Sequence, residues 1–253
     1  MRAQAPWPGR WQRRLLAVPG QPDDTGSLVI WLQTAHLCAD LRVPTGRPSF
    51  AGASALTECT DDQLAWLATQ QGFAGTLEVY GDLYAWRRDI DFQAPGAVPD
   101  VGRMRPAGDC VIETGVHAEY LEEWLHTPAE EHELAATRLM VAGAAREAAW
   151  WPGVAVAVGD ECLLVLGRRT PPAHLPGLFA AASGARERDA LAQVLDCEIS
   201  YLRRDWNAEC WRVVASTLPW REGLELAVED GRLPTLHAHP TLAGREIRGL
   251  DEY

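Results

Sequence analysis

The chain has 253 residues, of which 47% are hydrophobic and 23% charged, and its formal net charge is −12. This length suits one large domain or two modest ones, and the apolar content argues against disorder. No apolar run reaches the roughly 20 residues that a bilayer-spanning helix needs. The apolar stretch after the basic N-terminus is too short for a signal peptide, so we expect a cytoplasmic protein.

Residue usage excludes several classes of chemistry. The sequence contains no lysine, which rules out a P-loop lysine and a Schiff-base lysine. The acidic excess argues against binding of nucleic acid, which requires basic surface. The cysteines are scattered singly, so we expect free thiols rather than disulfides or a zinc site. No metal and no cofactor is expected.

Predicted elements recur in the same order in the two halves of the chain. The first half has a strand at 14–18, a strand pair at 31–43 and a helix at 61–71, then a strand at 86–92. The second half repeats them at 138–142, 154–166, 186–194 and 211–212. We interpret this as a tandem duplication with its joint near Thr127, giving domains 1–127 and 128–253.

Each half is predicted to be mainly β-structure with one short helix. Apolar and polar residues alternate along 86–92 and along 195–201, which predicts strands with one wet and one dry face. Closely spaced turn signals, including Gly81, Gly159 and Gly231, favour hairpins, while Pro171 and Pro172 mark a longer loop. Consecutive hairpins usually remove their edges by closing, so we predict two tandem antiparallel barrels.

Charged and aromatic residues share predicted inward positions in the first half. On 86–92 the predicted inward face holds Trp86, Arg88, Ile90 and Phe92. A lumen with charged groups and a flat aromatic wall suits a small molecule with an apolar body and one polar end. The candidate ligand-binding residues are Trp31, Gln33, Asp40, Arg42, Trp86, Arg88, Glu113, Tyr120, Glu122 and Trp124.

The second half lacks comparable polar positions. Residues 154–166 are almost continuously apolar, which predicts a packed or purely apolar core. His237 and His239 could share a strand face as metal ligands, but without a nearby partner ligand we expect a surface pair. Any function that needs polar groups is therefore predicted to lie in the first half.

Several segments of the first half together resemble a family named after a fungal kinase-interacting protein, which also has bacterial members. The segments are WLQT at 31–34, DLR at 40–42, WRRDIDFQ at 86–93, DVG at 100–102, ETG at 113–115 and YLEEW at 120–124. The resemblance implies two tandem calycin-like (lipocalin-type) barrels. It implies no reaction and no catalytic residues, and the family name implies a protein partner.

Three interpretations of the first half remain open. The leading hypothesis is a binding protein for a small hydrophobic or amphipathic molecule in the first barrel. The second is a protein-interaction module with solid barrels. The third is an isomerase, cyclase or hydratase that uses a buried carboxylic acid among Asp40, Glu113 and Glu122. Buried arginine–carboxylate pairs can also be purely structural.

Overall fold

Eight antiparallel strands of the first half close into a barrel in the computed structural model, which describes residues 7–93, 97–143, 150–169, 185–228 and 232–252. Each strand pairs with the next, and the last pairs with the first. The elements are β1 (Gly9–Ala17), β2 (Leu28–Gln33), β3 (Cys38–Val43), α1 (Asp61–Leu67), β4 (Gln71–Tyr80), β5 (Leu83–Asp91), β6 (Asp100–Ala107), β7 (Cys110–Gly115) and β8 (Leu121–Pro128).

The second half forms a seven-stranded antiparallel sheet in the order β14-β13-β12-β11-β10-β9-β15. Its two end strands do not pair with each other in the described part of the chain, so it is a half-barrel. The elements are β9 (Leu134–Val141), β10 (Trp151–Val158), β11 (Glu161–Leu166), α2 (Ala185–Leu195), β12 (Glu198–Asp205), β13 (Cys210–Ser216), β14 (Glu225–Ala227) and β15 (Ile247–Glu252).

The predicted fold class is confirmed. Both halves run strand, strand, strand, helix, strand, strand, from β1 to β5 and from β9 to β13. The halves differ afterwards, because three strands complete the first sheet and two shorter ones end the second. The loop at Pro171 and Pro172 and the turn at Gly231 lie outside the described residues. None of the described helices is long and apolar enough to cross a membrane.

Helix α1 begins at a capping box. The backbone N–H of Gln63 donates to the Thr60 hydroxyl, and the Thr60 N–H donates to the Gln63 side chain at 2.7 Å. Two acidic residues in its first turn favour the positive end of the helix dipole. Leu64 and Leu67 are buried in an apolar cluster that both halves share, so the helix lies against the junction of the two sheets.

Strands β10 and β11 of the second sheet are buried on both faces, which explains the apolar run at 154–166. Val156 and Val165 pack in the cluster shared with the first barrel, whereas Ala155 and Leu164 pack in the sheet's own core. Strands β10 and β11 contact β3 of the first barrel. A strand covered on both sides loses its alternation of polar and apolar residues.

Polar contacts accompany the apolar junction between the halves. Arg168 donates hydrogen bonds to the backbone carbonyls of Asp91 and Phe92 at the end of β5. Among the described residues, four ion pairs also join the halves: Arg10 to Glu161 at 2.6 Å, Arg47 to Glu222 at 2.7 Å, Arg138 to Asp89 at 2.9 Å, and Arg188 to Asp61.

A β-bulge in β5 corrects one predicted face. Gly75 pairs with Arg88 while Ala74 pairs with Ile90, so Asp89 is an extra residue. Trp86 and Arg88 line the lumen as predicted, but Ile90 and Phe92 point outward into the cluster shared by the halves. The bulge requires glycine on β4, since a Cβ at Gly75 would lie 1.8 Å from a backbone oxygen.

We expect Leu41→Ala to reduce the free energy of unfolding by about 3 kcal/mol, because Leu41 on β3 is fully buried in the shared cluster. Urea denaturation, followed by near-ultraviolet and far-ultraviolet circular dichroism, would measure this loss in the free energy of unfolding. The control Val214→Ala, at a residue 47% exposed, is expected to change it by less than about 0.5 kcal/mol. A loss below about 1 kcal/mol for Leu41→Ala would contradict a core shared by the halves.

Candidate functional site

The first barrel contains a cavity of about 270 Å³. By the volume that a water molecule occupies in the liquid, this is room for roughly nine waters. The cavity is lined by Leu16, Val18, Trp31, Asp40, Arg42, Phe73, Trp86, Arg88, Asp100, Glu113, Tyr120, Glu122 and Trp124.

Tryptophan side chains form one wall of this cavity. Trp31 lies between Trp86 and Trp124, with each pair of ring centroids 5.8 Å apart and the rings nearly perpendicular. Behind this wall, Trp11 stacks on Trp31 with a centroid separation of 4.7 Å. Stacked and edge-to-face contacts hold these rings in fixed orientations, so the wall is a preformed apolar surface.

A buried ion-pair network forms another side of the lumen. One oxygen of Glu122 accepts hydrogen bonds from Arg13 at 2.8 Å and from Arg42 at 3.1 Å. The Nε of Arg42 donates to both oxygens of Asp40, at 3.0 and 3.2 Å. Burial raises the pKa of Asp40 even though Arg42 opposes the shift. Three strands therefore contribute charged groups that satisfy one another.

Arg88 lies at the rim of the cavity. Its side chain is 31% exposed and donates to Asp91 at 3.0 Å and to Asp100 at 2.5 Å. The guanidinium also stands 4.2 Å from the ring centroid of Phe73. A second cavity of about 540 Å³ shares Trp86, Arg88, Asp100 and Tyr120 with the first. Arg88 therefore lies where the lumen meets this wider, outer space.

Glu113 is the exception among the carboxyl groups of the lumen. It is only 4% exposed, and it accepts hydrogen bonds from Tyr120 Oη at 2.7 Å and Trp124 Nε1 at 3.0 Å. Within the described part of the chain it forms no ion pair with an arginine. Burial, together with the nearby charge of Glu122, raises the pKa of Glu113 to about 8.

The structure brings together every candidate residue predicted from the sequence except Gln33. Gln33 is buried beside the cavity, where it accepts a hydrogen bond from Trp31 Nε1 and donates to the carbonyl of Thr34 at 2.6 Å. It therefore closes the end of the barrel behind Trp31 instead of lining the free space. Alternation alone does not decide which face of 118–125 is inward, and the structure shows that the candidates Tyr120, Glu122 and Trp124 line the cavity.

Sequence reasoning missed other lumen residues. Arg13 is two residues after the buried Trp11 on β1, so alternation could have placed it inward. Leu16 and Val18 were hidden by a register shift between Arg13 and Leu15. Asp100 and Phe73 also line the cavity and were not singled out.

The second half contains a buried polar cluster that the sequence did not predict. His239 is fully buried, and its Nε2 donates to Glu198 at 2.8 Å, since its Nδ1 accepts from the Thr241 N–H. Ser200 and Arg221 also donate to Glu198. Burial alone would raise the pKa of Glu198, but these hydrogen bonds and charges lower it.

The cluster corrects two expectations. His239 is not part of a surface pair, and the polar face predicted for Glu198 and Ser200 is buried. In the ranges that the structure describes, no group of three histidine, cysteine or acidic side chains could hold a metal ion. The cluster ties the C-terminal segment to β12.

Comparisons with known proteins found no protein family, no curated protein and no solved structure that matches this chain. The family resemblance seen in the first half of the sequence therefore stays a prediction. The case for a function depends on the geometry of the lumen.

We expect the free energy of unfolding to fall as the pH rises from about 5 to about 8, with Glu113 contributing a few kcal/mol. Its pKa is about 8 in the folded protein, against an ordinary value of 4.5. In this window the folded state binds more protons than the unfolded state, so stability decreases with pH. Glu113→Gln is expected to remove this contribution and to stabilise the protein above about pH 8.

Urea denaturation at a series of pH values would test this. The matched control is Glu123→Gln, because Glu123 lies on the opposite face of β8, with no place in the cavity lining. The free energy of unfolding of Glu123→Gln is expected to change with pH in the same way as that of the native sequence. An unchanged pH slope in Glu113→Gln would show that Glu113 is already ionised near neutral pH.

Proposed function

We propose that the protein binds a small amphipathic molecule in the lumen of the first barrel. The observation that carries this proposal is a partly open cavity that has a tryptophan wall on one side and buried charged groups on the other. Ligand sites typically combine an apolar lining with a few convergent polar groups. A cytoplasmic location and membership of the calycin-like family form part of the proposal.

The size and lining of the cavity limit the ligand. A volume of about 270 Å³ lies just below the range of 300–1,000 Å³ common for drug-sized ligands. The ligand is therefore small, with an apolar part against Trp31 and Trp86 and a polar part near Arg42 and Glu113. A longer molecule would extend past Arg88 into the outer cavity.

The alternative of an interaction module requires solid barrels, and the first barrel has a cavity. The large hydrophobic residues that are most exposed lie on separate elements of the described chain, at Tyr80, Val98, Trp206, Val214 and Leu250. Scattered apolar residues are normal for a protein surface. No observation favours this alternative over a binding lumen.

Native mass spectrometry of the purified protein is expected to show a bound small molecule that is lost on denaturation. Leu16→Trp should abolish this adduct, because Leu16 lines the cavity and an indole there would fill it. The neighbouring change Leu15→Trp is the matched control, since Leu15 pairs with the outward Glu123 and does not line the cavity. Equal adducts in both variants would place the ligand elsewhere.

A second candidate function is acid–base catalysis on the bound molecule, and Glu113 is the specific observation that favours it. A carboxyl group that keeps its proton near neutral pH and has no arginine partner can donate that proton to a ligand. This corresponds to the isomerase, cyclase or hydratase alternative. Asp40 and Glu122 are less suited because Arg42 contacts both.

Catalysis predicts that protein in heavy water transfers deuterium to carbon atoms of the extracted ligand, as mass spectrometry would detect. The rate should fall by about 10²-fold or more in Glu113→Gln, the usual size of a general-acid contribution. Glu123→Gln is expected to retain the rate of the native sequence. A ligand recovered without deuterium would leave binding as the function.

A further inference from the structure

The charges around the lumen are unequal in sign. Two guanidinium groups line the cavity against four carboxyl groups, those of Asp40, Asp100, Glu113 and Glu122. Arg13, behind Glu122, adds one positive charge but also pairs with Asp24 at 2.6 Å. Asp91 adds a further negative charge beside Arg88. The surroundings therefore carry excess negative charge unless carboxyl groups take up protons.

Both guanidinium groups of the lining are already matched. Arg42 bonds to two carboxylates, Asp40 and Glu122, and Arg88 bonds to Asp91 and Asp100. An anionic ligand would have to compete with these carboxylates for the two guanidinium groups. The lining group with no opposite charge in contact is instead a carboxyl group, that of Glu113.

The surroundings of Glu113 favour a positive partner. Glu122 from β8 and Asp100 from β6 face it with negative charge, and Arg42 from β3 is the nearest positive influence. Tyr120 and Trp124 give it hydrogen bonds but no charge. A buried carboxylate without a counter-charge is costly, so in the empty site a proton supplies the missing positive charge. A bound cation would take the place of that proton.

The aromatic wall is suited to the same class of ligand. Indole faces attract organic cations through the charge distribution of the ring. Two rings of the lining already contact cations in this way, Phe73 beneath Arg88 at 4.2 Å and Trp124 beside Arg42 at 5.9 Å. Trp31 and Trp86 stand nearly perpendicular and have no guanidinium against them among the described contacts. Trp11 covers one face of Trp31, and the rings of Trp31 and Trp86 form a corner in the lining of the cavity.

We infer that the ligand of the first barrel is a small organic cation, whose ammonium group lies between the corner of Trp31 and Trp86 and the carboxylate of Glu113. This inference rests on the proposed function and specifies the class of molecule that the lumen takes. An alkylammonium or quaternary ammonium group with a short polar tail matches a cavity of about 270 Å³.

Three probes of nearly equal size separate the effect of charge from that of shape. These are choline, which is a cation, the uncharged tert-butyl analogue of the same alcohol, and the tert-butylacetate anion, which carries a carboxylate. Quenching of tryptophan fluorescence and isothermal titration calorimetry would give their affinities. We expect choline to bind at least about tenfold more tightly than the uncharged analogue, and tert-butylacetate to bind most weakly.

The result identifies which proposal fails. Equal or tighter binding of the uncharged or anionic probe, abolished by Leu16→Trp, would overturn the cation inference and keep the proposed lumen site. No saturable binding of any probe, with no molecule carried through purification, would overturn both. Preferential binding of choline that is lost in Leu16→Trp and kept in Leu15→Trp would support both.

The role of Glu113 has its own test. Glu113→Gln should weaken choline binding about tenfold or more at pH 9 and change binding of the uncharged analogue by less than about twofold. In the native sequence, choline affinity should rise with pH up to about 8, and binding at lower pH should release a proton, since the pKa of Glu113 is about 8 when the site is empty. Calorimetry in buffers of different ionisation enthalpy detects the released proton, because the measured heat of binding then depends on the buffer.

The control Glu123→Gln should reproduce the native affinity and the native pH profile. The assignment of Glu113 as the counter-charge would be overturned if Glu113→Gln bound choline as tightly as the native sequence does. It would also be overturned if the choline affinity of the native sequence fell as the pH rose towards 8.

Discussion

The open interior of the first barrel depends on the carboxylate of Glu122. One of its oxygens binds both Arg13 from β1 and Arg42 from β3, and Arg42 in turn holds Asp40. Removing one partner of a buried pair is strongly destabilising, because the other charge is left uncompensated. Here Glu122 is matched by arginines from two other strands and Asp40 by Arg42 of its own strand, so the lumen stays polar without being filled by apolar side chains. The space that remains is the cavity.

Alternation along the strands predicted the lumen wherever the strands are regular. Trp31 and Asp40, on neighbouring strands, line the cavity as alternation predicts, whereas alternation leaves the inward face of Glu122 and Trp124 undecided. The same reasoning failed at bulges, because one extra residue reverses the face of everything that follows. In β5 the extra residue, Asp89, sends Ile90 outward and is itself bound by Arg138 of the second half. No periodicity in β5 alone reveals this.

The second half shows a different limit of sequence reasoning. The first part of β12 is covered on both faces, so Glu198 and Ser200 are buried even though their alternation indicates a wet face. His239, which helps to make this burial tolerable, lies 41 positions away, between β14 and β15. Such a partner is fixed by tertiary packing, and the sequence around β12 has no sign of it. The fold class was predictable because it depends on local patterns that repeat.

The two buried carboxylate clusters also show how a structural network differs from a site. Glu198 is surrounded by donors that lower its pKa, and it does not line either of the two cavities described here. Its charge is fully compensated within the chain, which is what a structural role requires. Glu113 has neutral donors, a raised pKa and free space beside it. Hydrogen bonding satisfies both groups, so it does not distinguish them. The difference is that no positively charged side chain of the described residues contacts Glu113, and an adjacent cavity lets another molecule provide the positive charge.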